Sequence, residues 1–184
     1  MKTIELLSER LKLRPIEFSD LNAIHTLHSL AETDKYNTLG IPENIEETER
    51  VITPLILAHQ LEDILNYTFV IEEFSTGIFI GLFGLKLWPK KNRRAEVWYK
   101  LHSDYWRKGY ATEALNRVLD FGFNDLKLHR IQAGCAVENI GSIKVLEKAG
   151  MIKEGQGRQL LPLKSGWSDN FEYSILETDE RKNE

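Results

Sequence analysis

Cysteine is nearly missing from this chain: Cys135 is the one example in 184 residues. An intramolecular disulfide framework and a cysteine-rich zinc site are therefore excluded. No apolar run approaches the ~18 residues that span a bilayer, so no membrane partner is expected. Met1, Lys2, Thr3, Ile4 and Glu5 lack the apolar core of a signal peptide, and a cytoplasmic address is the expectation. Positive charge is also short. Twenty-four Lys and Arg face 28 Asp and Glu, a net charge of −4, which weighs against nucleic acid as a partner. The chain has no repeat, low-complexity tract or Gly/Ser linker. The Gly-x-x-x-x-Gly-Lys-Ser/Thr loop and the three-glycine dinucleotide fingerprint are absent too.

What remains is an ordinary globular balance: 42% apolar, 28% charged and 10% aromatic residues. A chain of this length buries roughly 70% of its unfolded surface and needs no staples. One domain is expected over residues 9–177, followed by a polar tail over 178–184 that frays.

The hydrophobic pattern changes period along the chain. Leu11, Leu13 and Ile16 alternate with Lys12, Arg14 and Glu17, which predicts a first strand near residues 9–14. Ser19 and Asp20 offer caps for a helix carrying Leu21, Ile24, Leu27 and Leu30. Asn44 begins a second helical stretch with Glu46, Glu47 and Glu49 early in it, and Pro54 should kink or divide it. Tyr67–Phe74 and Ile78–Trp88 read as a hairpin through Ser75, Thr76 and Gly77. After a turn at Pro89–Asn92, Arg94–Leu101 reads as a strand with Ala95, Val97 and Tyr99 on one face. A helix is predicted over Gly109–Lys127, a strand over His129–Val137, and a helix over Asn139–Ala149 with Gly150 as its C-cap. Met151–Leu163 reads as extended, Gly166 as a turn, and Asn170–Glu177 as the last strand. This order fits an α/β (α+β) mixed sheet with helices on both faces.

The chemically informative segment is Trp106-Arg107-Lys108-Gly109-Tyr110-Ala111-Thr112. It joins a strand to a long helix. The first N–H groups of a helix have no internal partner, and the helix dipole adds about half a positive charge there. Gly109 lets a ligand approach the backbone, Ala111 leaves the next turn uncrowded, and Arg107 and Lys108 add charge. Read alone, the segment is equally an ordinary glycine before a helix flanked by solvated cations.

The wider pattern adds specificity. Trp106-x-x-Gly109-Tyr110-Ala111-Thr112-Glu113-Ala114 resembles the acyl-CoA pyrophosphate loop of the GCN5-related N-acetyltransferases, and most of all their ribosomal-protein N-terminal (RimJ/RimL-like) branch. Three further pieces stand in matching order: Glu9–Pro15; Ala95–Leu101; and Asn139-Ile140-Gly141-Ser142 followed by Val145–Met151. A fourth comprises Glu154-Gly155, Gly166, Asp169 and Tyr173. The resemblance covers residues 9–177. It implies the GNAT fold, a mostly antiparallel mixed sheet of about seven strands, with acetyl-CoA as acyl donor and no metal.

By the same resemblance, backbone N–H groups of Arg107, Lys108, Gly109, Tyr110, Ala111 and Thr112 would hold the pyrophosphate. Backbone of Tyr99, Lys100 and Leu101 would align the pantetheine arm, and one N–H there would serve as an oxyanion hole. Asn139 would bond the pantetheine amide, or else simply cap its helix. Ser142, one turn on, would protonate the departing thiolate, or else sit solvated. Glu96 would hold a water that deprotonates the amine, or else face solvent or an ion pair. Trp98 replaces a usually small residue and should narrow the acetyl end of the cleft. Some branch members carry a carboxylate base after the Glu-Gly step, whereas Leu160, Leu161, Pro162 and Leu163 offer none. The stretch Glu46–Asp63 would flank the acceptor entrance.

Several residues read more simply. Tyr173 is a core aromatic or a substrate-side hydroxyl. Cys135 is packing, not a nucleophile. His25 and His28, at i and i+3, read as helix-surface residues and not as metal ligands. The implied acceptor is a primary amine, foremost the α-amine of a protein or peptide. The alternatives are a small amine (a polyamine, amino acid or antibiotic) or a non-catalytic acyl-CoA-binding module. A monomer or homodimer is expected.

Overall fold

Alternating apolar residues build one sheet, and the helices cover whichever face each apolar set points to. The computed structural model describes residues 4–181. Its strands are β1 (Leu6–Leu7), β2 (Leu11–Pro15), β3 (Asn66–Glu73), β4 (Phe79–Leu87), β5 (Arg94–Leu101), β6 (Arg130–Ala136), β7 (Ile152–Leu163) and β8 (Gly166–Leu176). They lie in the order β1-β2-β3-β4-β5-β6-β8-β7. The helices are α1 (Leu21–Ser29), α2 (Ala31–Asp34), α3 (Ile45–Ala58), α4 (Tyr110–Asp120) and α5 (Ile140–Lys148). The eighth strand, β1, has two residues, too few to show a period, and it starts the sheet ahead of residue 9.

Period 2 sorts the core. Leu13, Phe69, Phe83, Val97, Ile131 and Ile175 point to the face covered by α4 and α5. Val70 and Leu82 point to the other, where Ile24 and Leu27 of α1 meet Ile52 and Ile56 of α3. Each such side chain contributes roughly 1.5–3 kcal/mol by leaving water.

Every adjacent pair of strands is antiparallel except β5–β6. That parallel pair has only three register partners: Arg94 with Arg130, Ala95 with Ile131, and Glu96 with Gln132. Beyond them, β5 stays paired with β4 up to Leu101, and β6 with β8 up to Ala136. The two strands therefore part like a wedge. One edge of Val97–Leu101 is left without a strand partner.

Several local expectations change. Pro54 does not divide α3, because it is exposed and water can serve the carbonyl it frees. Asp20 does not cap α1 with its side chain. Its carboxylate instead takes Glu17 N–H at 2.8 Å and Nη1 and Nη2 of Arg14 at 2.9 and 2.7 Å. The long helix ends at Asp120 and opens into one π-helical turn over Phe121–Asp125. Gly122 there has no room for a Cβ, which would meet Ile131 Cδ1 at 2.6 Å. Strand β8 begins at Gly166, four residues earlier than Asn170. The tail does not fray at once: Leu176 N–H donates to Asp179 and Arg181 pairs with Asp120. Met1–Thr3 and residues 182–184 lie outside the described residues.

His25 and His28 are not both surface residues. His25 Nδ1 bonds Thr48 Oγ1 at 2.8 Å, and His28 is only 5% exposed. Burial, with the charges of Lys100 and His25, pushes His28 down to about 4. Between that value and the ordinary 6.5, the unfolded chain binds a proton that the folded chain refuses, so stability falls as pH drops through this window. Urea melts at a series of pH values should show that loss, and His28→Gln should flatten it. An unchanged slope in the variant would assign the acid loss to other groups.

Candidate active site

After Leu101 the chain turns through Ser103–Tyr105, with His102 Nδ1 accepting Asp104 N–H at 3.3 Å. Trp106 then folds back, its Nε1–H donating to Leu101 carbonyl at 2.8 Å. Arg107 (φ +61°) and Gly109 (φ +83°) both adopt left-handed backbone, which swings the chain into α4. Glycine bears this freely, while arginine there costs about 1–2 kcal/mol. No side chain caps α4. Its opening N–H groups, at Tyr110, Ala111 and Thr112, therefore face outward with a positive dipole behind them. Arg107 and Lys108 are exposed beside them.

Arg10 fastens this loop from the far end of the chain. It donates to Lys108 carbonyl at 3.1 Å, lies 4.6 Å over the Tyr110 ring and pairs with Glu113 at 2.7 Å. Partial burial pushes the Glu113 carboxyl up, but hydrogen bonds from Arg10 and Ser8 outweigh it and hold the group below its usual range. The sequence motif contained Arg10 and Glu113 but did not show that they meet.

Two expected residues meet at the start of α5, and one of them reaches β5. Asn139 Oδ1 accepts Ser142 N–H at 3.1 Å, so it caps the helix and keeps its amide N–H groups free. Ser142 Oγ lies 2.8 Å from Tyr99 OH. Tyr99 stacks on Phe83 at 5.6 Å, and burial drives its phenol well above the ordinary value, so it stays protonated. This hydroxyl pair bridges β5 to α5. The period-2 pattern placed Tyr99 with Ala95 and Val97 but gave no sign of its hydroxyl partner.

Glu96 lies on the opposite face of β5, alongside Trp98 and Lys100, as the odd–even alternation requires. Glu96, still paired with Gln132 in the closed part of the seam, and Ser142, bonded to Tyr99, thus lie on opposite faces of β5. Trp98 does not narrow the wedge. Its indole lies over Gly84 of β4, where a Cβ would sit 2.0 Å from Nε1, and so leans away from β6. The Lys100 side chain is buried on the α1/α3 face.

Two other carboxylates, Glu154 and Asp169, are engaged. Arg130 and then Ser174 hold Glu154 at about 2, which removes it as a base. Asp169 accepts from Gln156 and Gln159 in the β7–β8 hairpin. Tyr173 is core, 2% exposed, with its hydroxyl 3.3 Å from Glu147. Burial pushes the Cys135 thiol up to about 11, although Ser142 works the other way, so it is no nucleophile at neutral pH. Among the described residues, no three His, Cys, Asp or Glu converge to hold a metal ion. No helix among them is long and apolar enough to cross a membrane.

An open groove of about 470 Å³ lies on the outside of α2, between it and the β7–β8 turn. Glu32, Asp34, Lys35 and Lys164 line it with Ala31 and Ile41.

An uncapped helix start beyond a strand with a free backbone edge fits a phosphate-bearing, extended ligand such as acetyl-CoA. Comparison with known proteins agrees. Residues 10–152 match the acetyltransferase (GNAT) domain. The chain is 32% identical over 175 residues to the N-acetyltransferase p20 of Bacillus licheniformis, covering 95% of this chain and 97% of that one. The GNAT-family acetyltransferase structure from Bacillus anthracis is 31% identical, with a TM-score of 0.83 over 96% of this chain and all of that one. The spermidine N-acetyltransferase of Vibrio cholerae, solved with CoA and spermine, is 28% identical, with a TM-score of 0.81 over 93% and 98%. The chain belongs to the GNAT acetyltransferase family and is an acetyl-CoA-dependent N-acetyltransferase.

Proposed function

We propose that the acceptor is the α-amine of a peptide or protein, as in the RimJ/RimL-like branch. The observation that carries this reading is the charge of the groove beside α2. Glu32 and the buried Asp34 line it beside two lysines, Lys35 and Lys164, so carboxylates are not in surplus there. A polyamine with several positive charges calls for a surplus of carboxylates, whereas a peptide calls for an open, balanced groove.

Proton chemistry points the same way. Freeing the lone pair of an α-amine, pKa ~7.8, costs about 1 kcal/mol at pH 7, against about 4.6 for a lysine side chain. Glu96, acting through a water, suffices for the first. Acetyl-CoA supplies the acetyl group as a thioester, which the neutral amine attacks directly. Backbone N–H groups of residues 107–112 hold the pyrophosphate, and the free edge at Tyr99–Leu101 aligns the pantetheine. One N–H of that edge faces the developing oxyanion, a contact stronger in the transition state than before it. Asn139 donates its amide to the pantetheine. Ser142, backed by the protonated Tyr99, returns a proton to the thiolate. Acid and base then serve opposite sides of the reacting carbon.

A second reading, a polyamine acceptor, is supported by the Vibrio cholerae relative, whose structure holds spermine. Release of CoA thiol with Ala- and Ser-initiated peptides, measured beside spermidine, tests the choice. Higher kcat/KM for the peptides is expected. Turnover of spermidine alone would overturn the α-amine reading.

A further inference from the structure

A buried lysine with nothing to bond is the least explained group in the molecule. Lys100 is 9% exposed, and among the described residues no group accepts from its Nζ. It sits opposite Leu82, under α1 and α2, on the face of β5 that also carries Glu96 and Trp98. Asp34 of α2 is 3% exposed, and its Oδ1 is likewise without a donor. The two charges sense each other, yet no ion pair joins them among the described residues. His28, buried nearby, stays uncharged at neutral pH and leaves the lysine as the local cation. Unmet buried groups of this kind are rare in folded proteins and call for a partner.

The position says what that partner is. Lys100 lies in the half of β5 that is free of β6, and Asp34 lines the groove beside α2. We propose that Lys100 and Asp34 form an acceptor-recognition pair that selects amines bearing an oxygen acceptor on the neighbouring carbon. Lysine is donor only and needs an oxygen. A peptide amino terminus brings its first carbonyl, and a free amino acid brings its carboxylate. Asp34 accepts an N–H from the same end of the molecule. A protonated polyamine offers only donors and adds like charge, so it satisfies Asp34 and leaves Lys100 unmet. Burial lowers the Lys100 ammonium to about 8, partly offset by Asp34, so the group remains mainly charged at pH 7 and able to pair with such an oxygen.

This inference rests on the reading that the acceptor approaches along the α1/α3 face of β5, but not on the acceptor being a peptide. The test compares alaninamide, an Ala-initiated peptide, free alanine and isopropylamine, which lacks the oxygen, with kcat/KM expressed per unprotonated amine so that their different basicities drop out. Wild-type kcat/KM should favour the best oxygen-bearing acceptor over isopropylamine by at least ~10-fold. In Lys100→Met that ratio should fall by about 10- to 100-fold, the range for losing a hydrogen bond from a charged donor, with the change in KM. A fall shared equally by all four acceptors would reduce Lys100 to a structural role and overturn the proposal. So would a wild-type ratio near one, which needs no variant and stands even if Lys100→Met fails to fold. Turnover of alanine or alaninamide without turnover of peptides would sink the peptide reading and leave this one standing.

Discussion

Gly109→Glu is expected to abolish acetyl-CoA binding, raising Kd by at least ~100-fold in calorimetry. Three effects add. The left-handed backbone at φ +83° costs any L side chain about 1–2 kcal/mol. A Cβ there would stand 3.2 Å from Arg10 Nη2, which pairs with Glu113 while the neighbouring Nη1 donates to the Lys108 carbonyl. The new carboxylate would place negative charge before the open N–H groups of α4, where the diphosphate is proposed to bind. Gly109→Ala carries only the strain and should weaken binding by a few-fold to about tenfold. Wild-type affinity in the glutamate variant, with an unchanged melting temperature, would show that the coenzyme binds elsewhere.

The second large effect concerns stability. Arg14 holds Asp20 and Glu72 together, each at 2.7 Å, with side-chain exposures of 20%, 8% and 15%. The two carboxylates outweigh the cost of burial and raise the guanidinium above its ordinary value, so it stays charged throughout. Arg14→Met should cost about 3–5 kcal/mol, because two poorly solvated carboxylates then face each other unpaired. For a chain of this length that is a fall of about 10 °C in Tm. A urea-derived loss below about 1 kcal/mol would mean that water reaches the pair freely and the network is a surface feature.

Both sites show how far the sequence reads. Gly109 was legible because its signal is local: one glycine, a cation pair and the start of an amphipathic helix within a few residues. The contact of Asn139 with Ser142 was legible for the same reason, since an N-cap side chain accepts from the N–H three residues on. Arg10 and Glu113 lie 103 residues apart, and no local pattern joins them. Trp98 was misjudged because its direction depends on Gly84, a vacancy on another strand. Lys100 falls on its face of β5 by simple alternation, but only the packing of α1 and α2 over that face buries it. Asp20 reads as a cap from its residue type and position, but its carboxylate is taken by Arg14, a stronger electrostatic attraction than a helix N–H. Helix α2, with four residues, is below the length at which a period can be counted.

The short parallel seam between β5 and β6 has a consequence for how this protein displays its backbone. Unpaired strand edges on a rim invite other chains to add themselves and aggregate. Here the vacant edge lies in the middle of the sheet, sheltered by five strands on one side and three on the other. A slender, hydrogen-bonding tether can slide into such a slot, while a second polypeptide with its side chains cannot. The molecule thus keeps this adhesive backbone edge in the middle of its sheet and not at its rim.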